Sequence, residues 1–344
     1  MPSDSPSIAS PMHYGSGVFS YIADPHWSQV PRELAMIEVS AVATDAEGRA
    51  YLFNRGEHPV VVLDADGKFL ASWGEGMFVR PHGITIGPDG AVWCTDDLDH
   101  TIRKFSPDGQ LLLTLGTSGV SSDTGARSVD YREVRQSAGP FNFPTNLAIA
   151  PDGYLYIADG YGNARIHVFS PEGQLIRSWG EPGCGFGQFH VPHGIAVDRE
   201  GIVYVADREN SRIQRFTSQG DSVDVWTDVA RPCEVFVDVA GAVYVAELGF
   251  RAGLFPGDVP GPGQTTGGRV SIFNRDGELL ARWGGGDKPC SLGDFFAPHD
   301  IYVDRRGDLY VSEVTHTAGI KRGVIGDDAH TLQKFIRVHQ RDGV

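Results

Sequence analysis

Short runs of apolar and small residues recur along this chain, each broken by a turn built on glycine. VSAVATDAEGRAYLFN (39–54), RPHGITIGPDGAVWCTD (80–96), FPTNLAIAPDGYLYIAD (143–159), VPHGIAVDREGIVYVAD (191–207), RPCEVFVDVAGAVYVAE (231–247) and APHDIYVDRRGDLYVSE (297–313) share one layout. An apolar run leads into an x-x-Gly turn, a second apolar run follows, and in all but the first an acidic residue ends it. TIRKFSPDGQLLLTLG (101–116), ARIHVFSPEGQLIRSWG (164–180) and RVSIFNRDGELLARWG (269–284) add a third and fourth run around another turn. Such runs joined by DG-type turns predict antiparallel hairpins. Four strands in a unit of about 40 residues predict a propeller blade.

Six units follow one another, and no long window shows a competing helical period. The chain is therefore expected to be all-β, a six-bladed β-propeller. The last unit has only three strands, ending in TLQKFIRV (331–338). The unassigned run GVFSYIA (17–23) is expected to supply the fourth and close the ring, which removes exposed sheet edges. Residues 1–344 then form a single domain, with an N-terminal segment (1–38) that includes the closing strand, and the blades over 39–338. Turns between strands 1 and 2 and between strands 3 and 4 are short. The long connections (117–142, 181–190, 249–268, 285–296 and 314–330) follow strand 2 or strand 4, so all should crown one rim. Long loops gathered on one face predict a binding face, with 117–142 and 249–268 expected to shape its pocket.

The residue that opens the innermost strand of successive blades is Ser40, His82, Thr145, His193, Cys233 and His299. Histidine occupies every second blade, so three imidazoles should converge on one point of the central channel. That arrangement suits a metal held by three histidines with a fourth position open, as in catalytic zinc sites. The other histidines hold no such column and are expected on the surface or in loops. Cys233 is expected to be an inert buried thiol. A second column, Asn54, Asp96, Asp159, Asp207, Glu247 and Glu313, closes strand 2. It is expected to be structural, accepting backbone N–H groups of the following loop. Just beyond it stand Arg55, Tyr161 and Arg208, on the loop-bearing rim near the histidines.

Composition narrows the partners. Glycine supplies 44 of 344 residues, well above the usual ~7%, as many tight turns require. The formal net charge of −15 argues against nucleic acid or an anionic membrane as partner, but permits a local basic pocket for a small anion. Four scattered cysteines without a CxxC pattern read as free thiols. No apolar stretch is long enough to span a membrane and no secretory signal is visible, so a cytoplasmic location is expected.

The ordered set RGEH, RPHG, DGYGNARI, QFHVPHGIAV, DRENSRIQ and APHDI, on NHL-type repeats, closely resembles peptidyl-α-hydroxyglycine α-amidating lyase from about Val39 to Glu313. The resemblance implies a six-bladed propeller with a catalytic zinc and a structural calcium. It implies His82, His193 and His299 as zinc ligands. It implies Asp300, through its carboxylate, and Val42 and Ile84, through their carbonyls, as calcium ligands; oxygen ligation is what calcium favours. It implies catalytic roles for Tyr161, Arg55 and Arg208. The reaction splits the N–C bond of a carbinolamide into a primary amide and glyoxylate. Tyr161 would take the hydroxyl proton, helped by nearby cations, and Arg208 would hold the substrate carboxylate.

This sequence departs from the family at Ala297, where a methionine is expected, and at Gly162 and Tyr204, where cysteines are. With no visible signal, these departures point to a small substrate bearing an amide and a carboxylate rather than to secretory peptide amidation. Two other readings stand beside the lyase: a metal-dependent hydrolase of a lactone, ester or amide, and a non-enzymatic NHL scaffold that binds protein on the loop face.

Overall fold

In a computed structural model, which describes residues 12–254 and 260–339, five four-stranded antiparallel sheets and one five-stranded one stand around a channel. The first four-stranded sheet runs outward as Val39–Thr44, Ala50–Asn54, Val60–Leu63 and Phe69–Trp73. Blades 2 to 5 repeat this order, with innermost strands Pro81–Ile86, Asn146–Ile149, Pro192–Val197 and Pro232–Val237. Each innermost strand packs on the next, and that of blade 6, Pro298–Val303, packs on that of blade 1.

Blade 6 closes as its missing strand predicts. Phe19–Asp24 pairs antiparallel with Leu332–Arg337, with Ile22 opposite Ile336. The structure adds a fifth, outermost strand, His13–Ser16, which continues the hairpin from Phe19–Asp24. The expectation of bare closure missed it because HYGS carries little apolar signal.

The strands alternate because each sheet is sandwiched between two others. Six apolar clusters fill the six gaps between neighbouring blades, from Ala41, Tyr51, Val60 and Phe105 between blades 1 and 2 to Trp27, Val39, Leu52 and Tyr310 between blades 6 and 1. A tryptophan ending the fourth strand staples a blade to the next. Trp73, Trp179, Trp226 and Trp283 pack on Phe105, Phe216, Phe273 and Phe335, with ring centroids 5.1 to 5.8 Å apart. All four cysteines are free. Among the described residues, no helix is long and apolar enough to cross a membrane.

Burying Tyr21 (0% exposed) against Trp283 is the closing strand's main apolar contribution. Tyr21→Ala should therefore cost about 3 kcal/mol of stability, in the range of buried aromatic truncations, measured by urea unfolding. An unchanged midpoint would mean that closure contributes little.

Candidate functional site: a three-histidine centre beneath an arginine-lined rim

His82, His193 and His299 open the innermost strands of blades 2, 4 and 6, and all three are buried. Their ring centroids form an equilateral triangle 4.8 Å on each side. One backbone device aims them. Nδ1 of each ring donates to the carbonyl of the strand-opening residue one blade on: Thr145 at 2.7 Å, Cys233 at 2.9 Å and Ser40 at 2.7 Å. A carbonyl only accepts, so Nδ1 carries the proton and Nε2 presents its lone pair to the axis. Burial, and then neighbouring cationic groups, push all three pKa values well below the usual histidine value, so the rings are neutral at physiological pH. Three neutral imidazoles with fixed tautomers and clustered ligand atoms suit a zinc-like ion.

The residue after His82 and His193 is glycine, and it matters as much. A Cβ at Gly83 would lie 2.5 Å from Oδ1 of Asn146 and 2.9 Å from the Thr145 carbonyl oxygen, and one at Gly194 would lie 2.6 Å from both Oε1 of Glu234 and the Cys233 carbonyl oxygen. Glycine is required there because the next blade's backbone and polar side chain fill that space.

Tyr161, Arg55 and Arg208 reach the same site. The Tyr161 hydroxyl lies 3.2 Å from Nε2 of His82 and 3.1 Å from Nε2 of His193. Nη1 of Arg208 donates to it at 3.3 Å, and the guanidinium carbon stands 5.2 Å from the ring centroid. A recurring backbone bond sets these residues at the rim. The residue leaving strand 2 donates its N–H to the carbonyl two residues before the strand-opening position. The pairs are Arg55 to Glu38 at 2.8 Å, Arg208 to Val191 at 3.0 Å, Leu248 to Arg231 at 3.0 Å and Val314 to Ala297 at 3.0 Å. Arg55 is further fixed by Glu38 (Nη1 to Oε1, 2.6 Å) and by the Pro81 carbonyl.

A cavity of about 210 Å³ opens above His299. Arg55, Arg80, Tyr161, Arg208, Arg231 and Arg322 supply its polar wall, and Leu248, Ala252, Leu254, Val314 and Ala318 an apolar one. Arg80, Arg231 and Arg322 were missed from the sequence. Arg80 stands two residues before His82 in RPHG, and its bidentate pair with Asp97 had no sequence marker. A larger hollow, about 780 Å³, lies under Ser121–Arg135 and has none of the predicted site residues on its wall.

The long connections divide differently from expectation. The start of 249–268 lines the cavity, although 255–259 of that connection lie outside the described residues. The 117–142 connection lines none of it. Its Val129 and Tyr131 instead pack behind Tyr161, Phe143 and Val191. The wall expected from 117–142 comes from 314–322. Ala297 is fully buried and packs beside Leu248, Ala252 and Val314, which line the cavity. Burial pushes the Cys233 thiol up to about 11, in keeping with an inert group.

Deeper in the channel, Val42, Ile84 and Asp300 line a second cavity of about 150 Å³ together with Asn146 and Glu234. Asp300 accepts from the Val42 N–H at 2.8 Å and the Ile301 N–H at 2.7 Å. Glu234 accepts from the amides of Ile195 and Val235 and from the Asn146 side chain. Burial raises both carboxyl groups above their ordinary range, and Asp300 raises Glu234 further. Two buried carboxylates with no basic side chain on the cavity wall make an oxygen-rich site that fits a hard cation.

The second column is structural, and it serves the loops on both sides. All six side chains accept amides from the loop entering strand 1: Asn54 from Ile37 and Glu38, Asp96 from Val79 and Arg80, Asp159 from Asn142, Asp207 from His190, Glu247 from Ala230, and Glu313 from Phe296 and Ala297. The expected bonds from the following loop are present too, at Asp96 from the Asp99 N–H and at Asp159 and Asp207 from the Asn163 and Asn210 side chains. This column also explains His167, expected at the surface yet fully buried on Arg165–Phe169. Its ring links Asp159 (3.2 Å) to Ser178 (2.7 Å).

Removing one ring should leave two nitrogens and abolish tight ligation. His193→Ala, dialysed against zinc and assayed by elemental analysis, should retain almost no ion where the parent retains about one per chain. Equal retention would place the metal elsewhere.

Residues 141–169 and 189–216 match the NHL repeat. Over 277 residues the chain is 35% identical to peptidyl-alpha-hydroxyglycine alpha-amidating lyase 1 of Drosophila melanogaster, covering 75% of this chain and 47% of that protein. Over 314 residues it is 30% identical to the peptidyl-glycine alpha-amidating monooxygenase of Mus musculus, covering 81% of this chain and 29% of that protein. The chain spans about a third of the length of such monooxygenases. NHL repeat-containing protein 3 of Mus musculus is 29% identical over 324 residues, covering 87% of this chain and 80% of that protein. A solved streptogramin B lyase superposes with a TM-score of 0.58 at 13% identity, covering 93% of this chain and 99% of that one, a likeness of fold alone. The chain is thus an NHL-repeat, six-bladed β-propeller homologous to the peptidyl-α-hydroxyglycine α-amidating lyases.

Proposed function

We propose that this protein is a zinc-dependent lyase that cleaves the N–C bond of a small α-hydroxylated amide, releasing an amide and glyoxylate. The observation that carries this reading is the Tyr161 hydroxyl seated on the Nε2 atoms of His82 and His193, with Arg208 donating to it.

The three imidazoles would hold the zinc, whose chemistry when bound is to acidify an alcohol. Tyr161 is placed to take the proton of the substrate hydroxyl. Arg208, donating to the Tyr161 oxygen, steadies the charge left there when that proton is absent. As the hydroxyl proton leaves, the C–O bond becomes a carbonyl and the C–N bond breaks with its electron pair on nitrogen. The amide nitrogen then takes up one proton, so atoms and charge balance. Arg55, braced by Glu38, and Arg208, braced by Glu209, offer guanidiniums to the carboxylate that becomes part of glyoxylate. Leu248 and Val314 form the apolar flank beside it. Deeper in the channel, Asp300 and the backbone of Val42 and Ile84 would hold a structural calcium, and Glu234 adds a second carboxylate there.

The likeness to NHL repeat-containing protein 3 favours a second reading, a propeller without catalysis. Turnover separates the two. With zinc present, α-hydroxyhippurate should yield glyoxylate, detected as its hydrazone. Tyr161→Phe should lower kcat at least 100-fold, the usual scale for a lost general base, with zinc content unchanged. Glyoxylate formation at the parent rate would remove Tyr161 as the base, and none from the parent protein would favour the scaffold. Calcium added to metal-free protein should raise the melting temperature by several degrees. Asp300→Asn should remove that rise; if it persists, calcium binds elsewhere.

A further inference from the structure

The cavity wall is rich in guanidiniums. Arg80 is paired with Asp97, Arg55 with Glu38, and Arg208 and Arg231 share Glu209. Arg322 differs. Its Nη1 donates to two backbone carbonyls, Ala252 at 2.8 Å and Ala318 at 3.2 Å, and among the described residues no carboxylate forms an ion pair with it. Among the described residues, four of the wall's five guanidiniums form ion pairs with three carboxylates, in a chain whose net charge is −15. Arg322 sits on the 314–330 connection, and the apolar side chains of Leu248, Ala252, Val314 and Ala318 also line the cavity.

The position of Arg322 is built. A Cβ at Gly253 would lie 3.1 Å from its Nη2, so the guanidinium lies directly over the glycine backbone. The same connection is tied back to the site, because Thr317 donates through both its N–H and its hydroxyl to Glu38, the partner of Arg55. Arg322, exposed at the cavity mouth, is therefore held by both loops that form the wall, with two of its five N–H donors on carbonyls and, among the described residues, no carboxylate paired with it. A guanidinium so placed recognises a planar oxyanion.

We infer that Arg322 is a specificity residue for a second carboxylate, so that the substrate is a dianion: an N-acyl-α-hydroxyglycine whose acyl chain itself ends in a carboxylate. This rests on the lyase reading and names the substrate class of that site. The cavity, about 210 Å³, also carries Leu248, Ala252, Val314 and Ala318 on its wall, which suit the methylene groups of a short acyl chain.

The test compares N-succinyl- with N-acetyl-α-hydroxyglycine on the zinc-loaded protein. The parent should prefer the succinyl substrate at least tenfold in kcat/KM, and Arg322→Gln should reduce that ratio at least tenfold. Arg322→Lys, which keeps the charge, should retain part of the preference, a rescue that a purely structural role would not give. A ratio near one in the parent, or an unchanged ratio in Arg322→Gln, overturns the inference. Binding of glutarate and butyrate, followed by calorimetry, separates it from the lyase reading. If neither substrate is cleaved but glutarate binds more tightly than butyrate, and Arg322→Gln removes the difference, the lyase reading falls and the second anion site stands. If the two acids bind alike, the second anion site falls whatever the turnover.

Discussion

The centre of this protein depends on a hydrogen bond that crosses from one blade to the next. Each of the three buried imidazoles gives its Nδ1 proton to a main-chain carbonyl of the neighbouring sheet. Because the acceptor is backbone, its position is set by the ring as a whole rather than by one side chain. That single bond fixes tautomer, ring direction and height together. It also makes the hub and the propeller inseparable: a blade that tilted would carry away its own histidine or the carbonyl that orients its neighbour's.

Around this hub the blades repeat a second economy. The polar residue that ends strand 2 is spent on amides entering strand 1, which frees the next residue to face the channel mouth. In blades 1 and 4 that residue is arginine, and in blades 5 and 6 it is Leu248 and Val314. One repeated backbone frame thus presents two guanidiniums facing each other across the mouth, with the apolar pair on the arc between them. Chemistry is varied by changing residues at a fixed address, while the frame stays the same.

The ring itself was legible in the sequence because its turns, its apolar alternation and its unit length repeat, and repetition survives without an alignment. The histidine column was legible for the same reason: Pro-His recurs at one place in alternate blades, and the symmetry of the fold turns sequence position into spatial convergence. Residues outside the repeat were not legible. Glu234 lies in PCE, the blade where the Pro-His pattern lapses, yet it bends over Gly194 into the channel. Arg322 belongs to a connection without a counterpart in other blades. Only half of the second column's role was legible: its partners in the following loop are close in sequence, whereas those entering strand 1 lie about 17 residues earlier and are brought near only by pairing of strands 1 and 2. His167 looked like one more scattered histidine because its partners are Asp159, on the neighbouring strand, and Ser178, in the fourth.

The clasp made by Phe19–Asp24 and Leu332–Arg337 has a temporal consequence. Translation releases the early strand long before its mate has left the ribosome, so until then Phe19–Asp24 has only its hairpin neighbour His13–Ser16 to pair with. His299 likewise looks back to a carbonyl laid down near the beginning, Ser40. The third imidazole can therefore adopt its observed orientation only when the circle shuts, so the convergence of the three rings follows closure of the propeller rather than seeding it.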